Sequence, residues 1–294
     1  MERLKGTLYG AFIGDAFALS THWIYDTDKL SIEANAITDY AEPSKNLFHK
    51  GKRKGDFTHY GDQSLLLLKS ISSNDGFSTS VFKTHWLSFM DHYEGYMDHA
   101  SKDTLRALDP TSDTGSSSDE LGGFVRCAPL IFRHFDDENL FGMVKAQTQL
   151  THNDPFLVEI ATYTTSCLLE LIIGKPLLET LENQITLFPS LRKYYDLANK
   201  DFSTETVDVI KDIGQSCSSH FAFPAALHIA IKYHDDFMKA MQTNILCGGD
   251  SAGRGMLIGM LLGANMGINH LPPHLISGLR EHSIIENFAS YKRI

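Results

Sequence analysis

Alternating apolar and polar positions, the mark of a half-buried strand, scarcely occur in this chain of 294 residues, which argues against barrels and sandwiches. Cysteine is sparse as well. Cys127, Cys167, Cys217 and Cys247 lie far apart without Cys-x-x-Cys spacing, so neither a disulfide framework nor a cysteine zinc site is expected. They read as buried thiols in a reducing, cytoplasmic setting. Positive charge is scarce: 26 basic residues face 36 acidic ones, and no basic run exceeds Lys50-Gly51-Lys52-Arg53-Lys54. A nucleic-acid groove therefore has little electrostatic support, and that cluster reads as a solvated loop.

Long apolar runs are also missing. The apolar segment from Gly255 to Gly267 spans 13 residues, too few to cross a bilayer, and the N-terminal segment carries Asp15 where a signal peptide would be uninterrupted. No membrane partner is expected. The 14 histidines lack His-x-x-x-His spacing beside an acid, so a zinc centre is not indicated. Gly-Lys followed by Ser or Thr does not occur, which removes a Walker-type phosphate loop.

What is present is helical periodicity. Leu4, Leu8, Ala11 and Phe12 repeat at three- and four-residue steps, as do Val81, Phe82, Trp86, Phe89, Met90 and Tyr93. The same periodicity predicts helices near 63–72, 119–134, 138–150, 155–173, 178–187, 204–213, 223–233, 235–246, 254–266 and 272–280. Polar, turn-rich stretches punctuate them at 40–62, 98–120 and 196–204, and the run 109–118 has the composition of a linker. Against a boundary there, Gly10 and Gly14 at one end of the chain match Gly255, Gly259, Gly263 and Gly267 at the other. Glycines four apart let helix backbones approach closely, so the two ends are expected to pack at the centre of one domain. The expectation is all-α: a single large orthogonal helical domain over residues 1–294.

Three loops concentrate the polar residues. In the first, Asp15 lies within an apolar helical turn and needs a partner, either a ligand or a neighbouring loop that it braces. In the second, His59-Tyr60-Gly61-Asp62-Gln63-Ser64 precedes four leucines, and Asp62 is either a site acid or an N-cap. The third, Cys247-Gly248-Gly249-Asp250-Ser251-Ala252-Gly253-Arg254-Gly255, opens an apolar helix. Such a loop turns backbone N–H groups toward an anion, and its acid can hold a cation. Its Gly-Asp-Ser-Ala-Gly string is like a serine-protease nucleophile loop, but that chemistry needs a β-scaffold absent here.

In order and spacing these motifs resemble the ADP-ribosylglycohydrolase family: Gly10 to Asp15, Tyr60 to Ser64, Gly122-Gly123-Phe124-Val125-Arg126-Cys127-Ala128-Pro129-Leu130, Thr151-His152, and Gly248-Gly249-Asp250. The resemblance covers nearly the whole chain. It implies an all-α fold, removal of ADP-ribose from modified small molecules or proteins, and two divalent ions, Mg²⁺ or Mn²⁺, that grip the ribose. By resemblance the metal ligands are Asp62 and Asp250, the catalytic groups Asp62, Asp250 and His22. Ligand contacts fall on Asp15, Tyr60, Gln63, Gly122, Gly123, His152, Gly249, Ser251, Gly253 and Arg254, with the 248–255 backbone cradling pyrophosphate.

Departures from the pattern matter for the chemistry. The family's acidic loop reads Thr-Asp-Asp-Thr where this chain has Tyr60-Gly61-Asp62-Gln63. Its C-terminal loop reads Gly-Gly-Asp-Thr-Asp-Thr where this chain has Ala252 and Gly253 after Asp250-Ser251. His22 stands where a glutamate is usual. These strings are similar to the J-type crystallin and selenoprotein J branch of the superfamily. Two readings stay open: a hydrolase of ribosyl N- or O-glycosidic bonds with a depleted metal site, and a catalytically silent ribosyl- or nucleotide-binding or structural protein. In either, Arg254 can supply positive charge where a metal would sit, or serve the fold. Oligomeric state is left open.

Overall fold

The computed structural model describes residues 1–34, 36–43, 47–108, 111–200 and 202–290. Among these the regular elements are helices, and the only β pairing is two isolated bridges, Ser116 with His152 and Glu120 with Ser218. In chain order the helices are α1 (Glu2–Ala18), α2 (Thr27–Glu33), α3 (His59–Ser73), α4 (Thr79–Asp91), α5 (His99–Ala107), α6 (Gly122–Val125), α7 (Ala128–His134), α8 (Leu140–Gln149) and α9 (Pro155–Ile172). They continue as α10 (Leu177–Ile185), α11 (Arg192–Ala198), α12 (Thr206–Ile213), α13 (Ser219–Lys232), α14 (Phe237–Leu246), α15 (Ser251–Met266), α16 (Pro273–Gly278) and α17 (His282–Ser290). The all-α expectation holds.

The core forms around α1 and α15, which run antiparallel and touch through their backbones. A Cβ on Gly6 would lie 2.0 Å from the carbonyl oxygen of Gly263, one on Gly10 would lie 1.9 Å from that of Gly259, and one on Gly14 would lie 2.0 Å from that of Gly255. Only hydrogen fits at any of these positions, so the glycine stripes set the helix separation and permit Cα–H···O contact along the seam. Leu8, Phe12, Ile13, Leu257, Ile258 and Leu261 are fully buried around it. Helices α3, α7, α9, α13 and α14 pack around this pair.

Two local expectations change. The helix expected over 119–134 breaks at Arg126-Cys127 into α6 and α7. The stretch 98–120, read as turns, contains α5, where the Asp98 side chain accepts from the Ser101 N–H at 2.6 Å and caps a short amphipathic helix. Of the linker-like run, 109 and 110 lie outside the described residues. Its remainder is pinned: the Gly115 N–H donates to the Gln149 carbonyl at 2.9 Å, and the Ser116 hydroxyl to that of Thr151 at 2.7 Å.

Because the seam has no space for a methyl group on either side, Gly10→Ala is expected to cost about 3 kcal/mol or more. Gly51→Ala, where the added carbon meets nothing but φ is +82°, should cost only about 1 kcal/mol. Urea unfolding of the two variants checks this, and equal losses would contradict the assigned role of the seam.

Candidate functional site

The α1–α15 seam carries the C-terminal glycine loop to the end of α1. There Gly249 pairs with the chain leaving that helix: its N–H donates to the Ile24 carbonyl and its own carbonyl accepts from the Trp23 N–H, both at 2.8 Å. Gly248 and Gly249 have φ of +67° and +65°, and a side chain on Gly249 would meet the Gln215 carbonyl oxygen at 2.0 Å. Asp250 then caps α15, accepting from the Gly253 N–H at 3.2 Å. Gly253 is needed in turn, since a Cβ there would lie 2.5 Å from the Asp250 carboxylate. Gly249 and Gly253, expected as ligand contacts, thus shape the loop that holds the acid.

Asp250 is fully buried. Burial pushes its carboxyl up, against the lowering influence of Arg254 and the Gly253 N–H. His22 Nδ1 stands 3.6 Å from one of its oxygens and accepts from the Ala252 N–H at 3.3 Å. That bond places the imidazole proton on Nε2. Burial, reinforced by His49, His59 and Arg254, keeps His22 neutral. Its ring stacks on Trp23, with centroids 4.3 Å apart. Trp23 itself adopts φ of +64°, a left-handed conformation costly for an aromatic residue and worth about 1–3 kcal/mol of strain.

Arg254 is also fully buried, and its guanidinium is held by the chain around the loop. Nε donates to Asn244 Oδ1 at 3.2 Å, and Nη2 donates to the carbonyls of Asn244 at 3.3 Å and Gly248 at 2.5 Å. Asn244 closes the circuit by donating to the Ser251 carbonyl at 2.7 Å. Arg254 therefore braces the loop directly and acts on Asp250 through space, while Nη1 has no hydrogen-bond partner.

The second loop forms the start of α3. Its N-cap is Thr58, whose hydroxyl accepts from the Tyr60 N–H at 3.2 Å and donates to Asp15 at 2.5 Å. Asp15 also accepts from the Thr58 N–H at 2.8 Å, so it braces this loop; burial raises its carboxyl to about 6 despite those bonds. Asp62 lies one turn on. One of its oxygens accepts from Lys52 Nζ at 2.5 Å and from the Tyr93 hydroxyl at 2.6 Å, beside an open cavity of about 550 Å³. Burial raises Asp62, with Lys52 and Tyr93 pulling the other way. Lys52, read as part of a solvated loop, is thus the counter-ion of the acid expected to bind metal.

Gln63, Gly123 and His152 belong to a different network. Arg126, fully buried, donates from Nε to Gln147 Oε1 at 2.6 Å, from Nη1 to Gln63 Oε1 at 2.8 Å, and from Nη2 to Gln147 O at 3.1 Å and to Thr151 Oγ1. Trp86 Nε1 donates to the same Gln63 oxygen at 2.8 Å, and Thr151 Oγ1 shares a hydrogen bond with His152 Nδ1 at 2.8 Å. Burial lowers the guanidinium only to about 10 and the His152 imidazole to about 3, so Arg126 is charged and His152 neutral at pH 7. Gly123 and Gly122 give close passage to the His152 and Tyr60 rings, each of which would lie within 2.5 Å of an added Cβ.

Tyr60 joins the two loops. Its ring packs against both His22 and His59, with centroids 5.7 and 3.9 Å away. Its hydroxyl is buried without a partner and lies in the field of Asp250, Glu120, Cys217 and Asp98. His59 pairs with Asp98 at 3.0 Å. Burial opposes the imidazolium, yet Asp98 more than offsets it and raises His59, while His59 and the Ser101 N–H hold Asp98 well below the carboxylate range despite its burial.

Glu120 is not marked by the sequence, and Cys217, expected only as a buried thiol, is half-buried beside it, unlike the other three cysteines. Their segments meet in the Glu120–Ser218 bridge, supported by Leu121 N–H donating to the Cys217 carbonyl at 3.4 Å and Ser219 N–H to that of Asp119 at 3.1 Å. The Cys217 thiol donates to Glu120 Oε1 at 3.2 Å, and Glu120 Oε2 is buried without a partner. Burial, then Asp98 and Asp250, raise Glu120 to about 7 against the Cys217 bond and His59. The only signal in the sequence was an acid two residues ahead of a glycine pair.

The donor set does not suit a divalent pair. Each loop contributes one acid: Asp62 is engaged by an ammonium, Asp250 is tied to its own helix, and no group of three His, Cys, Asp or Glu among the described residues could hold a metal ion.

Glu120 carries a pH signature. Its folded pKa exceeds the unfolded one, so it destabilises the fold when ionised, and this penalty grows as pH rises from about 4.5 to about 7. Glu120→Gln should therefore raise the urea midpoint at pH 7.5, with the gain shrinking toward pH 4.5. A gain independent of pH would contradict the assignment.

Comparison with known proteins agrees with this architecture. Two proteins from Tripedalia cystophora, Crystallin J1A and Crystallin J1B, are each 23% identical to the chain, over 98% and 97% of its length and 95% and 94% of theirs. A solved structure titled ADP-ribosylglycohydrolase-related protein complex superposes with a TM-score of 0.72 at 19% identity, covering 98% of this chain and 95% of that one. The profile of the ADP-ribosylglycohydrolase family matches residues 1–293, and the chain belongs to that family.

Proposed function

We propose that the protein binds a ribosyl ligand of the ADP-ribose type at the Asp250 loop without the divalent-ion assistance that hydrolysis in this family draws on. The observation that carries this reading is the contact of Lys52 Nζ with Asp62 at 2.5 Å, reinforced by the Tyr93 hydroxyl on the same oxygen. An ammonium there neutralises the charge that would attract a metal, and a metal would have to displace both donors. Hydrolysis with Asp62 and Asp250 as paired metal ligands finds less support, because these acids have separate partners.

Binding is supported by what is left over. Tyr60 Oη, Asp250 Oδ2, Ser251 Oγ and Arg254 Nη1 are buried polar atoms without partners. Such atoms are costly unless something satisfies them. They come from both loops, whereas the backbone N–H groups of 248–254, expected to cradle pyrophosphate, are already taken by Ile245, Ile24, Gln215, Gly249, His22 and Asp250, so recognition falls to the side chains. A purely structural role is the second reading, favoured by the crystallin relatives.

Thermal unfolding separates these outcomes. ADP-ribose is expected to raise the midpoint with the logarithm of its concentration, equally in Mg²⁺ and in EDTA, a stabilisation of about 2.7 kcal/mol at a hundredfold excess over Kd. Chromatography should show no ADP-ribose released from arginine-, serine- or O-acetyl-linked substrates. Mg²⁺-dependent release would overturn the reading, and the absence of any concentration-dependent shift would leave the structural role.

A further inference from the structure

We propose that Glu120 acts with Asp250 as a pair of carboxylate acceptors for the vicinal hydroxyls of the ribosyl ring, making Glu120 the residue that selects a diol at this site. The proposal rests on the ribosyl-binding reading and adds to it a residue outside the two loops.

The argument starts from placement. Glu120 is fixed by the bridge to Ser218, with one oxygen taken by the Cys217 thiol at 3.2 Å and the other buried and unpartnered. Asp250 likewise has one oxygen on the Gly253 N–H and one unpartnered. Each acid thus keeps one open acceptor. The segments are brought together by Tyr60, whose ring packs on Gly122 two residues after Glu120, and by the Asp250 N–H, which donates at 3.0 Å to the carbonyl of Gln215, two residues before Cys217; Tyr60 is only 1% exposed, and its unpartnered hydroxyl is within the electrostatic reach of both acids. The hydroxyls of Tyr25 and Tyr96 also lie in the field of Glu120 and Cys217. Tyr25 is 50% exposed, so this side opens to solvent.

The mixture of groups selects the ligand class. An anion is disfavoured by two inward carboxylates. A cation would be served by the acids but not by Arg254 Nη1 and the tyrosine hydroxyls. A polyol satisfies both kinds, donating its hydroxyl protons to the carboxylates and accepting from tyrosine and arginine. Trp23 is half-buried, held in its strained conformation by the bond to Gly249, stacked on His22, and packed at 4.8 Å against Tyr96 and 5.2 Å against His59, so the side facing Tyr25 and Tyr96 is aromatic.

Calorimetric titration in EDTA at pH 8, above the Glu120 pKa of about 7, tests the pair, using ADP-ribose and its two analogues lacking the 2- or the 3-hydroxyl of the terminal ribose. Wild-type protein should bind ADP-ribose about tenfold more tightly than at least one analogue, the worth of one hydrogen bond to a charged acceptor. In Glu120→Ala that preference should fall to near unity while the analogue keeps its wild-type affinity, and Glu120→Gln, which keeps the side-chain volume and one acceptor, should lie between. Both preferences surviving unchanged in both variants would overturn the proposal while leaving ribosyl binding intact. Tighter competition by agmatine than by ribose 5-phosphate would overturn it in favour of a cation site. Failure of wild-type protein to bind ADP-ribose at all would sink the underlying reading, and the pair with it.

Discussion

The close contact of α1 with α15 is the constraint on which the rest of the structure depends. Three glycine pairs, Gly6 with Gly263, Gly10 with Gly259 and Gly14 with Gly255, bring two backbones to a separation that no side chain permits. The first helix and one near the end of the chain are locked together, so the loop before α15 must lie against the chain leaving α1. Asp250 therefore meets His22, and Gly249 pairs with Trp23 and Ile24. The site is a consequence of that seam.

Charge is distributed within the site so that buried acids have cationic or hydrogen-bonded company. Asp62 has Lys52 and Tyr93, Asp98 has His59, Asp15 has Thr58, and Asp250 has its own helix start with Arg254 nearby. Each neighbour offsets part of the desolvation that burial imposes. Arg126 shows the same economy with neutral partners, its donors meeting glutamine, threonine and backbone oxygens. Internal cations and donors thus engage the acids that a divalent pair would need free.

Much of the fold was legible because its signals are local or periodic. The glycine stripes at the two chain ends could be matched by eye, and the packing of these ends follows from them. Short or interrupted elements were harder: α5 reads as polar turn because its buried face is Ala100, Ser101 and Thr104, and the break between α6 and α7 comes where Arg126 leaves the helix pattern to join its network. In the site, Asp15, Asp62 and Asp250 stood out against apolar surroundings. Glu120, Cys217 and Lys52 did not, since Glu120 and Cys217 are 97 residues apart in sequence and Lys52 lies in a run of like charges whose ordinary fate is solvation. A partner that only the tertiary fold supplies leaves no local mark.

The most direct test is a crystal structure grown with ADP-ribose and Mg²⁺. A terminal ribose seated against Asp250 and Glu120, with Lys52 still on Asp62 and no ion between the loops, is the expected result. Two oxygen-coordinated ions bridging Asp62 and Asp250, with Lys52 displaced, would contradict the account.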